Sequence, residues 1–327
     1  MTLLLAVLFL ILAAEFVNGW TDAPNAIATV VSTSVMPPMA AIVMAVILNT
    51  LGAMAGTAVA ITIGKGIVQS SVVTLPAIAA AMITIVAWGG MAGKLGLPVS
   101  KSHALIAAIT GAGLASGGWQ ALIASGWVKV GYGIVLSVIA GFFGALVVAL
   151  LARGVSRSRR PSPTKRTFDR LQIVAAAAMA FTHGMNDGQK FMGIFALALL
   201  QGGVFPEFTI PFWVMLICAL SMGLGTALGG WRIIGTISKK MTRLTSWQGF
   251  AAQGTASCII YVASSFGIPL STTHTITSSI AGAGASNGAK GVRWRVFSWI
   301  ALGWMLTFPI CMALAYVSAF LANYLAH

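Results

Sequence analysis

The stretch Phe181–Lys190, FTHGMNDGQK, decides the reading because it sets a His, an Asn, an Asp and a Lys inside otherwise apolar sequence. LQIVAAAAMA precedes it and FMGIFALALL follows it, as expected of a helix that crosses a bilayer. An ionised Asp at the centre of such a helix costs about 2.5–3.5 kcal/mol, so it needs a partner or a function. The stretch recurs at Phe16–Asn25, FVNGWTDAPN, where Gly19 aligns with Gly184 and Asp22 with Asp187, 165 residues further on. Four of the five acidic residues, Glu15, Asp22, Asp187 and Glu207, lie near apolar segments, and two of them occupy these equivalent positions.

Around this pair the chain is 58% hydrophobic and only 7% charged, far outside the range of a soluble domain. Long uninterrupted apolar runs predict an all-α polytopic membrane protein and exclude a barrel, whose strands would alternate over about ten residues. The first fourteen residues carry no Lys or Arg and no small-residue cleavage site, so they read as part of the first helix. The net charge of +14 is concentrated: Arg153, Arg157, Arg159, Arg160, Lys165, Arg166 and Arg170 face a single Asp169, and Pro161 and Pro163 are expected to break any helix there. That is a cytoplasmic linker under the positive-inside rule, and its distribution argues against a nucleic-acid partner. Arg232, Lys239, Lys240 and Arg243 form a second cytoplasmic run. The absence of basic residues before Lys65 favours an external N-terminus. Cys218, Cys258 and Cys311 are odd in number and sit in apolar sequence, so no disulfide framework is implied.

A second motif is also duplicated. GLPVSKSHALIAAITGAG, Gly96–Gly113, returns as GIPLSTTHTITSSIAGAG, Gly267–Gly284, with Pro98, Ser100 and His103 on Pro269, Ser271 and His274. Two motifs repeated in the same order divide the chain into a first transmembrane repeat at 1–152, the basic linker at 153–170 and a second repeat at 171–327. Each repeat is expected to hold a broken helix and a re-entrant helical hairpin. In the first, two half-helices should meet at Asp22, where Gly19 and Pro24 interrupt the segment 1–36, followed by spans at 39–63 and 70–92 and a long segment at 119–152. In the second, a broken helix at 171–200 precedes spans at 207–231 and 248–266. Four spans and a hairpin per half is an even tally, which alone makes the halves parallel; an inverted pair requires a span merged in this count.

Repeated, glycine-interrupted segments point to a transporter binding site. In G-x-P-x-S the Gly and Pro end one backbone run, and Ser100 or Ser271 falls where a new helix starts. A helix N-terminus has unpaired N–H groups and partial positive charge, so two such tips suit a tetrahedral oxyanion held by Ser100, Lys101, Ser102, Ser271, Thr272 and Thr273. An ordinary N-cap is the plainer alternative for each copy. Asp22, Asn25, Asn186 and Asp187 offer acceptor oxygens for a cation-coupling site, with Asp22 and Asp187 as metal ligands if the driver is Na⁺. Otherwise each Asp is a buried acid that caps its own broken helix or, in the case of Asp187, pairs with Lys190. Lys190 reads as a counter-ion to Asp187. His103, His183 and His274 brace these elements or carry protons. Glu15, two turns before Asp22, is a proton relay or a boundary residue. Trp88, Trp119, Trp127, Trp213 and Trp231 fit an interfacial belt.

An enzyme fits poorly. GASNG, Gly284–Gly288, matches G-x-S-x-G, but among 37 glycines a chance match is easy, no strand precedes it, and no acid follows Glu207. Metal-ligand spacings of His or Cys are missing from the sequence, and no cofactor is implied. A channel is the remaining alternative, although sites for both an anion and a cation suit coupled transport better than a pore.

GWTDAPN, GMNDGQK, GLPVSKSH and GIPLSTTH together resemble the inorganic phosphate transporter (PiT) family in its bacterial low-affinity permease form, and the similarity covers nearly the whole chain. The family signatures centre on G-x-N-D-x-x-N or -K and on G-x-P-x-S-x-T-H. Thr21 stands where Asn is usual, Pro24 enters the turn, and Lys101 and Ser102 replace Thr. The resemblance implies inverted repeats, a homodimer in the inner (plasma) membrane, and alternating-access symport of inorganic phosphate with H⁺ or Na⁺, with phosphate in some members carried as a metal complex. A sulfate permease branch shares the pattern.

Overall fold

The computed structural model describes residues 1–158, 161–236 and 241–326. Nearly all of these residues are helical, as a backbone immersed in lipid must be, because its N–H and C=O groups find no water partners there. The first half holds α1 (Thr2–Ser32), α2 (Pro38–Ala53), α3 (Ala58–Gly66), α4 (Leu75–Leu95), α5 (Lys101–Gly117), α6 (Ala124–Val135) and α7 (Gly141–Ser158). The second holds α8 (Pro161–His183), α9 (Gln189–Gln201), α10 (Phe212–Ala227), α11 (Trp231–Ile234), α12 (Ser246–Ser265), α13 (Thr272–Ala285) and α14 (Trp294–Ala326). Among the described residues, four helical rods are long and apolar enough to cross a membrane: Thr2–Ser32, Leu75–Leu95, Ala124–Ser156 and Trp294–Tyr324. The bent pair α2–α3, with 65° between its limbs, adds a fifth if it counts as one span.

Several expected boundaries change. The two half-helices expected to meet at Asp22 do not form: α1 is continuous through Pro24. Proline frees the carbonyl four residues earlier, that of Trp20, and the turn at Gly230 packs so closely on Pro24 and Trp20 O that a Cβ there would lie 2.8 Å from both. The neighbour thus covers the defect and the helix continues. In the second copy the interruption is a π turn, Gly184–Gly188, between α8 and α9, so the chain bulges without separating into half-helices. The expected span at 39–63 is divided by the α2–α3 bend, and that at 207–231 contracts to α10 followed by the short α11. Pro161 and Pro163 do not break the linker into coil. α7 extends to Ser158, and α8 begins at Pro161, a position where the missing N–H costs nothing. Within this stretch Lys165 pairs with Asp169 at 2.8 Å; Arg159, Arg160, Lys239 and Lys240 lie outside the described residues.

The halves interlock through glycines. A Cβ on Gly19 of α1 would sit 2.2 Å from Met222 O of α10, and one on Gly225 of α10 would sit 2.1 Å from Phe16 O of α1. The same reciprocal crossing joins the equivalent elements: Gly52 of α2 meets Phe181 O at 1.9 Å, and Gly184 meets Asn49 O at 2.1 Å. Gly111 of α5 likewise abuts Met312 O of α14, and Gly282 of α13 abuts Phe142 O of α7, at 2.1 and 2.0 Å. Lipid tails are as apolar as the side chains, so helices associate through such close backbone packing. In each crossing an element of one half is seated on an element of the other, so the halves are not separate bodies.

We expect Gly52→Leu to separate α2 from α8 and to abolish monodisperse, detergent-extracted protein in size-exclusion chromatography. Gly90→Ala, where a Cβ meets nothing within 4 Å, should behave as wild type. Equal yields of the two variants would refute the crossing.

Candidate functional site

Each duplicated G-x-P-x-S segment folds as stop, turn and restart. Gly96 and Gly267 take left-handed backbone, φ +70° and +65°, just beyond α4 and α12, which a side chain would oppose. Ser100 then caps α5, its Oγ accepting from His103 N at 3.2 Å, and Ser271 caps α13, accepting from His274 N at 3.1 Å. The serine caps satisfy the third N–H of each helix. The first two, at Lys101 and Ser102 and at Thr272 and Thr273, remain without a partner within the helix.

Both tips are buried and meet at the two aspartates. Lys101 Nζ donates to Asp22 Oδ1 at 3.0 Å, and Thr273 Oγ donates to Asp22 Oδ2 at 3.2 Å. Thr272 Oγ donates to Asp187 Oδ2 at 2.8 Å, and Ser102 Oγ to Asp187 Oδ1 at 3.4 Å. The pattern crosses over. The first residue of each tip, Lys101 or Thr272, reaches the Asp of its own half, while the second, Ser102 or Thr273, reaches the Asp of the other.

Lys190 completes the charge balance. Its Nζ lies 2.5 Å from Asp187 Oδ1 and 2.8 Å from Leu270 O, and it also donates to Ser102 Oγ. Asn25 Nδ2 donates to Thr273 Oγ at 3.1 Å, whereas Asn186 turns to Ser264 Oγ at 2.7 Å and leaves its own Oδ1 without a hydrogen-bond donor. His183 Nε2 sits 3.3 Å from Asp187 Oδ2, and its Nδ1 is 3.0 Å from Asn49 Oδ1. Ligand atoms of Asp22, His183 and Asp187 all lie within 4.8 Å of one another. Oxygen atoms in that cluster suit a hard cation, but each carboxylate already holds an ammonium that such an ion would have to displace.

His103 and His274 lie behind the tips, edge to face with ring centroids 4.4 Å apart. Trp304 lies against His274 at 3.9 Å and donates its indole N–H to Pro98 O at 3.0 Å, holding the first G-x-P turn. Trp304 and Ser264 carried no motif, so sequence reasoning missed them. Asn49 was also missed, although a lone amide in AIVMAVILNTLGA is a readable signal. Trp119, Trp213 and Trp231 are exposed on the protein surface. Ser286 of the GASNG match donates to Ala283 O as a helix-end residue. A cavity of about 570 Å³, lined by Trp20, Thr21, Lys94, Trp231 and Arg232 among others, reaches the residue next to Asp22.

Residues 18–315 match the profile of the phosphate transporter family. A Bacillus subtilis (strain 168) protein described as a "probable low-affinity inorganic phosphate transporter" is 40% identical over 98% of both chains. A protein of the same description from Rhizobium meliloti (strain 1021) is 38% identical over 99% of this chain and 98% of its own. Among solved structures, one titled "The sodium-dependent phosphate transporter" superposes with a TM-score of 0.85, covering 99% of this chain and all of that one at 23% identity, which shows a shared fold. These relatives are named as transporters and not as enzymes, and the multi-pass helical architecture is that of a membrane protein. With its duplicated tips closing on a buried pair of aspartates, the chain belongs to the phosphate transporter family.

Proposed function

We propose that the protein imports inorganic phosphate across the inner (plasma) membrane by symport with protons, through two inverted repeats that alternate access to one central site. The crossed hydrogen bonding of Asp22 and Asp187 to both helix tips carries this reading. Phosphate leaves for the cytoplasm by the basic-rimmed cavity beside Thr21, lined by Arg232 of the second basic run, after binding between the tips. There the ammonium groups of Lys101 and Lys190, the hydroxyls of Ser102, Thr272 and Thr273, and the unpaired N–H groups of α5 and α13 offer donors to its oxygens. Ser100 and Ser271 shape the tips as caps. Asn25 orients Thr273, and His103 and His274 support the tips from behind. Each hydroxyl that turns from carboxylate to phosphate exchanges one acceptor for another, so binding loosens the tie between the halves and permits them to rock.

Sodium is the second reading, favoured by the Asp22, His183 and Asp187 cluster and by the sodium-dependent solved neighbour. Protons are preferred because the two lysines already supply the positive charge that a sodium ion would bring.

Radiolabelled phosphate uptake into proteoliposomes separates these readings. A pH gradient, acidic outside, should drive accumulation, whereas a Na⁺ gradient alone should not; the opposite result sinks the proton reading. Excess sulfate that suppresses uptake as strongly as excess phosphate would make the substrate sulfate, and downhill flux indifferent to every gradient would make the protein a channel. Asp187→Asn should abolish gradient-driven uptake while leaving a monodisperse protein, because it removes the charge that Lys190 and the tips share. Concentrative uptake at the wild-type rate by that variant would end its coupling role. Thr272→Val together with Thr273→Val should raise the phosphate KM about tenfold or more, since a hydrogen bond to a charged group is worth about 1.5–3 kcal/mol. An unchanged KM would remove the tips from the substrate site.

A further inference from the structure

Glu15 is the one acidic group of the buried centre that the preceding account leaves unused. It is completely buried on α1, two turns before Asp22, about 10 Å away along the helix axis. Among the described residues it has no cationic partner. Its Oε2 accepts from Asn18 Nδ2 at 3.3 Å, and its Oε1, like Asn18 Oδ1, is buried without any hydrogen-bond donor. The pair therefore offers more acceptors than donors, a deficit that an added proton reduces. The ionisable groups that act on Glu15 are Asp187, Lys190 and Asp22 at the site, with Cys218 of α10 near it. Of the three buried imidazoles, His183 touches Asp187, and His103 and His274 lie behind the tips.

The charge count gives this carboxyl its meaning. Asp22 is matched by Lys101 and Asp187 by Lys190, so with neutral imidazoles the centre is balanced except for Glu15. Ionised, Glu15 leaves a net negative charge in a dry interior that must receive an anion; protonated, it leaves none.

We propose that Glu15 is the binding site of the coupling proton: H⁺ from the entry side adds to its carboxylate to form the neutral acid, no other bond breaks, and the proton leaves on the far side. The assignment rests on the proton-symport reading. Glu15 does not touch phosphate and acts through the field. Its protonation favours anion entry, and by reciprocity a bound anion favours the protonated acid. With like charges about 10 Å apart in an incompletely shielded interior, the mutual effect is on the order of tenfold.

The test uses the full chain in liposomes with radiolabelled inorganic phosphate. Glu15→Gln fixes the neutral form, so accumulation driven by a pH gradient should fall at least about tenfold while exchange of phosphate for phosphate persists. Glu15→Asp should recover part of the accumulation. Gradient-driven accumulation by Glu15→Gln at the wild-type level overturns this assignment alone. A wild-type protein indifferent to the pH gradient overturns the proton reading and the assignment with it. Should Glu15→Gln not fold, infrared difference spectra of wild type and Glu15→Asp on phosphate addition decide the matter. A protonated-carboxyl band that shifts with the substitution supports Glu15, and an unshifted or missing band overturns it.

Discussion

Two ionised carboxylates buried where water cannot reach them impose the requirement that organises this molecule. A charge in such surroundings is stable only when an opposite charge and several hydrogen-bond donors surround it. Asp22 and Asp187 meet that condition by drawing on elements far away in sequence, Lys101 and Thr273 for one and Thr272 and Ser102 for the other, together with Lys190 three residues after Asp187. Because each Asp takes a donor from both tips, neither half can satisfy its own acid alone, and the polar centre ties the halves together.

Side chains as short as Ser and Thr can make that tie only if the helices carrying them come close. The glycines at the crossings of α1 with α10 and of α2 with α8 supply the closeness, and they do so at equivalent positions in the two halves. Gly19 and Gly184 each stand three residues before an Asp, so the residue that lets the backbones touch also places the acid at the interface. The same close packing repeats where α5 rests on α14 and α13 on α7, about three turns beyond the tips, which seats each tip-bearing helix against a neighbour of the other half. Backbone contact and charge neutralisation are thus one arrangement seen at two scales.

The centre is also suited to change. Each hydroxyl that holds a carboxylate can turn its one proton to another acceptor while Lys101 and Lys190 still hold the acids, whereas a rigid apolar core would offer no such exchange. Two lysines balance the two aspartates.

Much of this was legible in order along the chain. Composition placed the protein in the bilayer, and the duplicated aspartate and G-x-P-x-S motifs marked the buried acids and the serine-capped helix starts, because glycine turns and serine caps are local chemistry that a short window displays. Local rules misled at Pro24 and at Pro161. Proline alone cannot tell whether a neighbouring turn will cover the carbonyl it frees, as the one at Gly230 does, or whether it stands inside a helix or at its first residue. Partnership was the other matter that only the tertiary structure decided. Lys101 lies on Asp22, Asn186 turns to Ser264, and Asn49 and Trp304 enter the centre unannounced. Motifs record which groups a segment carries, but a buried charge takes as its partner whatever the packing of distant helices brings within about 3 Å, and that distance is a property of the whole fold.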